Sequence, residues 1–196
     1  MQRQELVNSQ PVDSEVIIET RELSRVYPGV VALDNVNYRV YRNKVNVLIG
    51  ENGAGKSTMM KMLAGVETPS SGQIILDGAP VTLSSTHQAE KQGISIIFQD
   101  LNLFRNMNVM DNICMANEFF QKGKINEKYQ YELAKSLLER LELNVDPYTQ
   151  LGELGIGHQQ LVEIARALSK DTRVLIMDEP TSALSQSEVK ILFNVI

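Results

Sequence analysis

The stretch "GENGAGKST" sets Gly50, Glu51, Asn52, Gly53, Ala54, Gly55, Lys56, Ser57 and Thr58 in a row. It follows the apolar run "VNVLI" (Val45 to Ile49) and opens onto a helix-compatible sequence, the setting a phosphate-binding loop requires. Glycines let successive backbone N–H groups turn inward around a polyphosphate, at the positive end of the coming helix. Lys56 is spaced to reach the β- and γ-phosphates, and the Ser57 hydroxyl to ligate Mg²⁺. A ligand-free, glycine-rich strand-to-helix turn is the alternative; all the fixed positions of the pattern in the right context weigh against it.

A second acidic stretch complements the first. "VLIMDEPTSAL" ends an apolar run on Asp178 and Glu179, adjacent carboxylates that a strand points to opposite sides. At such an end Asp178 can hold Mg²⁺ through water while Glu179 polarises an attacking water. An acidic strand terminus entering a turn at Pro180 would look the same, and only the phosphate loop upstream favours the chemical reading.

These residues need a scaffold of strand ends. "VNVLI", "ISIIF" (Ile94 to Phe98) and "VLIM" (Val174 to Met177) read as buried parallel strands. "EVIIET", "NVNYRV" and "QIILDG" read as an antiparallel layer separated by turn residues. A helix is predicted after Gly55 and another after "INEKYQ", where Leu133, Leu137, Leu138 and Leu141 share a face. Residues 1–15 read as a loose polar tail and 16–196 as one domain, with a helical insertion over 101–150.

At 196 residues, 43% hydrophobic and 22% charged, the chain suffices for one globular core. Its net charge of -5 argues against a nucleic-acid partner. One cysteine, Cys114, excludes an internal disulfide and fits a reducing compartment. No apolar run approaches the roughly 18 residues that cross a bilayer, and no signal-peptide core is evident, so a soluble, cytoplasmic chain is expected.

In the order "GENGAGKST", "IIFQD", "QQLVEIARAL" and "VLIMDEPTSAL", the chain resembles the ATPase domain of ATP-binding cassette (ABC) proteins from about Val16 to its end. The resemblance implies an α/β fold: a P-loop NTPase core with an antiparallel β subdomain, an inserted helical subdomain facing a membrane permease, and an incomplete C-terminal end. It implies ATP and Mg²⁺ as cofactors, Tyr27 stacked on adenine, and Gln99 sensing Mg²⁺ and the γ-phosphate. Read from the residues alone, Tyr27 can equally be a core-rim aromatic, and Gln99 can merely cap a turn. "YPGVVALDNVNY" and "LNLFRNMNVMDNI" narrow the likeness to bacterial ribose, galactose and polyol importers, whose ATPase carries two cassette halves in one chain. This sequence matches the first half. Partners implied are the permease, the second half and, indirectly, a sugar-binding protein, with the ATPase peripheral on the cytoplasmic membrane face. A DNA- or ribosome-directed cassette ATPase and a non-hydrolysing fragment are the competing readings.

Leu154, Gly155, Ile156, Gly157 and His158 fall where the family has its signature segment, which binds the γ-phosphate held by the opposite half. The family favours serine at 155 and glutamine at 158, so the segment reads as worn, serving a weakly demanding second site. A metal role for His158 lacks further Cys or His partners, and a solvated or capping side chain is expected. Leu161, Ile164, Ala165 and Leu168 give the following helix an apolar face. Asn43-Lys44 replaces a usual glycine and acid, and Ser185 a usual aspartate; with Glu188 it forms a capping box starting a helix whose Val189, Leu192 and Ile196 face the core. The family's switch histidine lies beyond the carboxylates, so neither His87 nor His158 fills that place, and the sequence reads as truncated.

Overall fold

The computed structural model describes residues 15–115, 117–121, 123–179 and 184–195. The chain divides between Ser84 and Ser85 into two compact units. The expected tail, the turn at Pro180 and the core role of Ile196 lie outside the described residues, apart from Glu15 at the end of the tail.

The first unit is built on a four-stranded antiparallel sheet in the order β2-β1-β3-β4. Strands β1 (Val16–Tyr27) and β2 (Val30–Tyr41) form a hairpin in which Tyr27 pairs with Val30. Proline presets the first turn position and Gly29, at φ 80°, supplies the left-handed second one. Strands β3 (Ser71–Leu76) and β4 (Ala79–Val81) are joined by Asp77 and Gly78, both at positive φ, which suits the twist of a tight hairpin. All three predicted antiparallel runs fall in this sheet. Helix α1 (Lys56–Leu63) follows the glycine loop as expected and buries Met59, Met62 and Leu63.

The run Val45 to Ile49 departs from expectation. It forms no strand, and Val45, Val47 and Ile49 are 61%, 66% and 88% exposed. A buried parallel strand draws its stability from neighbours on both edges, and no ladder pairs with this run. The Asn46 side chain is committed elsewhere: it accepts from the Tyr41 N–H at 3.0 Å and donates to the Tyr41 carbonyl at 3.0 Å, tying the run to the end of β2. Asn43 takes the left-handed conformation in between, at φ 52°, the freedom that lets it replace glycine.

In the second unit, Ser85 caps α2 (Thr86–Lys91), which leads into β5 (Ile94–Ile97). The chain continues through α3 (Val109–Cys114), a short hairpin of β6 (Phe120–Gln121) and β7 (Lys124–Ile125), and α4 (Glu127–Arg140). The insertion is therefore not wholly helical; Gly123, at φ 78°, turns the hairpin. A 3₁₀ turn (Leu151–Glu153) precedes α5 (Ile156–Leu168), β8 (Val174–Met177) and α6 (Gln186–Val195). Strands β5 and β8 pair in parallel, Ile94 with Val174 through Ile97 with Met177. One core joins α3, α4, α5 and α6: Leu137, Leu138 and Leu141 are buried in it, with Leu133 packed at its margin. Leu161, Ile164 and Ala165 are buried and Leu168 packs at the edge, but Gln159, Gln160 and Glu163 are buried too, so α5 is enclosed on more than its apolar stripe. On α6 Leu192 is buried, with Ile191 and Val195 against the core and Val189 half-buried. No helix among the described residues is long and apolar enough to cross a membrane.

Candidate functional site: a phosphate loop, a carboxylate pair and a signature segment

The glycine loop has the geometry its sequence predicts. Gly53 and Gly55 stand at φ 84° and 83°, and the Ala54 N–H closes a turn on the Glu51 carbonyl at 3.1 Å. Gly55 is also confined in space: a Cβ there would lie 2.4 Å from the Ala32 carbonyl oxygen on β2. It starts α1, whose first turn carries Lys56, Ser57 and Thr58, so their backbone N–H groups stand at the positive helix end. The Lys56 ammonium folds over the loop, donating to the Gly50 carbonyl at 2.7 Å and the Glu51 carbonyl at 2.8 Å. Ser57 is exposed. In the same unit Tyr27 donates its hydroxyl to Glu67, and the Arg25 guanidinium covers one ring face at 4.8 Å. Stacking on a base would use the opposite face.

The second unit gathers the carboxylates. Asp178 and Glu179 directly follow β8, and the Asp178 N–H donates to the Ile97 carbonyl, extending the parallel pairing by one bond. Asp178 is half-buried and Glu179 exposed, with Glu179 in the left-handed region at φ 50°. Gln99, just past the end of β5, donates Nε2 to Glu179 Oε2 at 2.9 Å. The structure thus joins Gln99 to Glu179, two residues 80 positions apart that sequence spacing alone could not connect. The donors assigned to Mg²⁺, the Ser57 hydroxyl, Gln99 amide and Asp178 carboxylate, are the hard oxygen ligands that ion takes alongside phosphate oxygens and water.

The signature segment lies in the same unit. Leu154 packs against the core, and Gly155 is the exposed N-cap of α5 with no side-chain cap. A Cβ at Gly155 meets nothing within 4 Å, so the serine favoured there has room. Ile156 is exposed. Gly157 is different: a Cβ would stand 2.5 Å from Glu188 Oε1. His158 is half exposed with Nε2 3.9 Å from that same oxygen. The capping box forms as predicted: the Ser185 N–H donates to Glu188 Oε2 at 2.7 Å, and the Ser185 hydroxyl donates to it at 2.6 Å. These bonds hold the Glu188 carboxyl below the usual carboxylate range. His158 faces the acid that starts α6, with its side chain half in solvent. Sequence reasoning missed two further groups. Glu163 and Arg166, not singled out within "VEIARAL", reach the loop after Gln99.

Residues 33–182 match the ABC transporter family. The chain belongs to that family. It is 49% identical over 185 residues to the xylose import ATP-binding protein XylG of Thermoanaerobacter pseudethanolicus, covering 93% of this chain and 37% of that protein. It is 44% identical over 180 residues to the ribose import ATP-binding protein RbsA 1 of Rubrobacter xylanophilus, covering 92% and 36%. The chain thus spans little more than a third of the length of these relatives. Among solved structures it resembles the ADP conformation of MJ1267, an ATP-binding cassette of an ABC transporter, at TM-score 0.76 and 26% identity, covering 92% of this chain and 75% of that one. The fold is that of an ABC nucleotide-binding domain.

Proposed function

We propose that this chain is a nucleotide-binding half that binds Mg-ATP and, with a second cassette half, energises import of a sugar or polyol through a membrane permease. The observation carrying the reading is the loop from Gly50 to Thr58: two left-handed glycines and a lysine ammonium held over it by carbonyl oxygens that phosphates would replace. Residues 16–196 act as one nucleotide-binding domain, with 101–150 as the part facing the permease. Tyr27 stacks on adenine. Ser57 of the first unit, and Asp178 and Gln99 of the second, would each offer an oxygen donor to Mg²⁺, which would supply charge neutralisation at the phosphates. Glu179 is the base that orients and deprotonates water, and the Gln99 amide fixes its carboxylate. The segment from Leu154 to His158 acts on nucleotide held by the other half. The xylose and ribose import functions named for the relatives support a sugar as cargo, delivered by a separate binding protein, with the ATPase at the cytoplasmic membrane face.

Two substitutions test this. Lys56→Ala should abolish Mg-ATP binding to the chain, measured by calorimetry, because it removes the charge meeting the β- and γ-phosphates. Glu179→Gln, in the full-length protein with its permease, should keep ATP affinity within about threefold and slow turnover roughly a hundredfold or more. Undiminished binding by Lys56→Ala would sink the loop assignment. Affinity collapsing together with rate in Glu179→Gln would make Glu179 a metal-binding or structural group.

A further inference from the structure

Glu163 is a charged residue in the middle of α5 and only 2% exposed. Its Oε1 accepts from the Asn102 N–H at 3.3 Å and lies 3.4 Å from Arg166 Nη2, while its Oε2 has no partner. One turn further along, Arg166 donates Nη1 to the Asn102 carbonyl at 2.7 Å. Helix α5 therefore grips both backbone polar groups of a single residue. That residue lies three positions after Gln99, in a segment belonging to no helix or strand, so side chains must hold it. Asn102 also donates its own side chain to the Asp100 carbonyl at 3.1 Å, closing the segment on itself. Gln99 in turn holds Glu179. The other end of α5 is Gly155, about 12 Å away along the axis at 1.5 Å per residue.

Packing does not account for Glu163. An apolar side chain of similar volume would fill the site without stranding an oxygen, since a buried acceptor left unmade is costly. We propose that Glu163, together with Arg166, is a positioning residue: it fixes the loop that carries Gln99, sets the Gln99–Glu179 contact, and so ties the carboxylate at the end of β8 to the helix bearing the signature segment. Burial also pushes the Glu163 carboxyl above the usual carboxylate range, against the pull of Arg166, so a neutral amide is a close substitute. The kinetic part of this proposal rests on the ATPase reading above; the structural part does not.

Amide hydrogen exchange in the chain itself separates the two. In Glu163→Ala the Asn102 amide should exchange about tenfold faster or more, while amides of α5 away from the substitution stay protected. Glu163→Gln, which keeps the Oε1 acceptor, should recover most of that protection. Arg166→Lys keeps the charge but loses the fork, and serves if Glu163→Ala does not fold; it too should speed exchange at Asn102 and its neighbours. In the full-length protein with its permease, Glu163→Ala should lower kcat for ATP roughly tenfold with KM within about twofold, since Glu163 acts through Asn102 on the loop that carries Gln99. Unchanged exchange at Asn102 in both Glu163→Ala and Arg166→Lys overturns the proposal. So does equal damage from Glu163→Gln and Glu163→Ala, or a parallel loss of kcat and nucleotide affinity. Absence of turnover in the wild-type assembly would instead overturn the ATPase reading, and the exchange result would still decide the grip.

Discussion

Glu163 has a second consequence, in the pH dependence of stability. Its carboxyl takes up a proton more readily folded than unfolded, because burial disfavours the charged form more than Arg166 favours it. Its contribution to stability is thus full below the unfolded pKa and lost as pH rises through the raised folded one. Glu163→Gln, which does not titrate, should be more stable than wild type by about 1 kcal/mol near pH 8, the difference shrinking toward about pH 5. Thermal melts across that range check this; a difference that stays flat would mean the carboxyl titrates alike in both states. Nothing in the sequence marked this residue, since a glutamate on a helix reads as solvated until its neighbours are known. Lys56, Gly53 and Gly55 were legible because a loop of nine residues makes its own geometry. The contact of Gln99 with Glu179 was not legible: the resemblance gave each residue a role but not their meeting, which joins the ends of two parallel strands.

At the scale of elements, local signals held where the partners are near in sequence. The Pro28-Gly29 turn sets Tyr27 opposite Val30 and Val26 opposite Val31, and Ser185 with Glu188 starts α6. The cap makes a prediction. Ser185→Ala removes a hydroxyl that both caps and bonds Glu188, and should cost about 1 kcal/mol at neutral pH in urea unfolding. Because Glu188 is held below the usual carboxylate range, the stability it contributes is present above the unfolded pKa and lost as pH falls through the depressed one. The cost of Ser185→Ala should therefore be smaller near about pH 3 than at neutrality. The run Val45 to Ile49 was misread for the opposite reason: its apolar residues specify a strand only if edges are supplied from elsewhere, and Asn46 instead spends its side chain on Tyr41. The hairpin from Phe120 to Ile125 went unread inside a segment taken as helical, although Gly123 between two lysines was a usable turn signal.

For the whole molecule, the division between Ser84 and Ser85 puts the phosphate loop in one unit and the carboxylates with the signature segment in the other. Each half of the proposed chemistry is thus held by its own core. Burial of Cys114 at the end of α3 bears on how such an assembly can be watched. The thiol is buried, and burial, followed by the nearby charges of Asp111 and Glu118, pushes its pKa up to about 11. Attack by a thiol needs the thiolate, so the sole cysteine of the chain is chemically quiet when folded. That leaves a silent background for site-specific labelling. A cysteine placed by Gly155→Cys, where a Cβ meets nothing within 4 Å, would be the one reactive thiol and could carry a maleimide fluorophore on the signature segment. In the full-length protein, cleared of its other cysteines, that dye should change emission when Mg-ATP brings the second half across it, and stay unchanged without nucleotide. Because Cys114 is already quiet, this half needs only that one substitution to carry a single-colour reporter of closure.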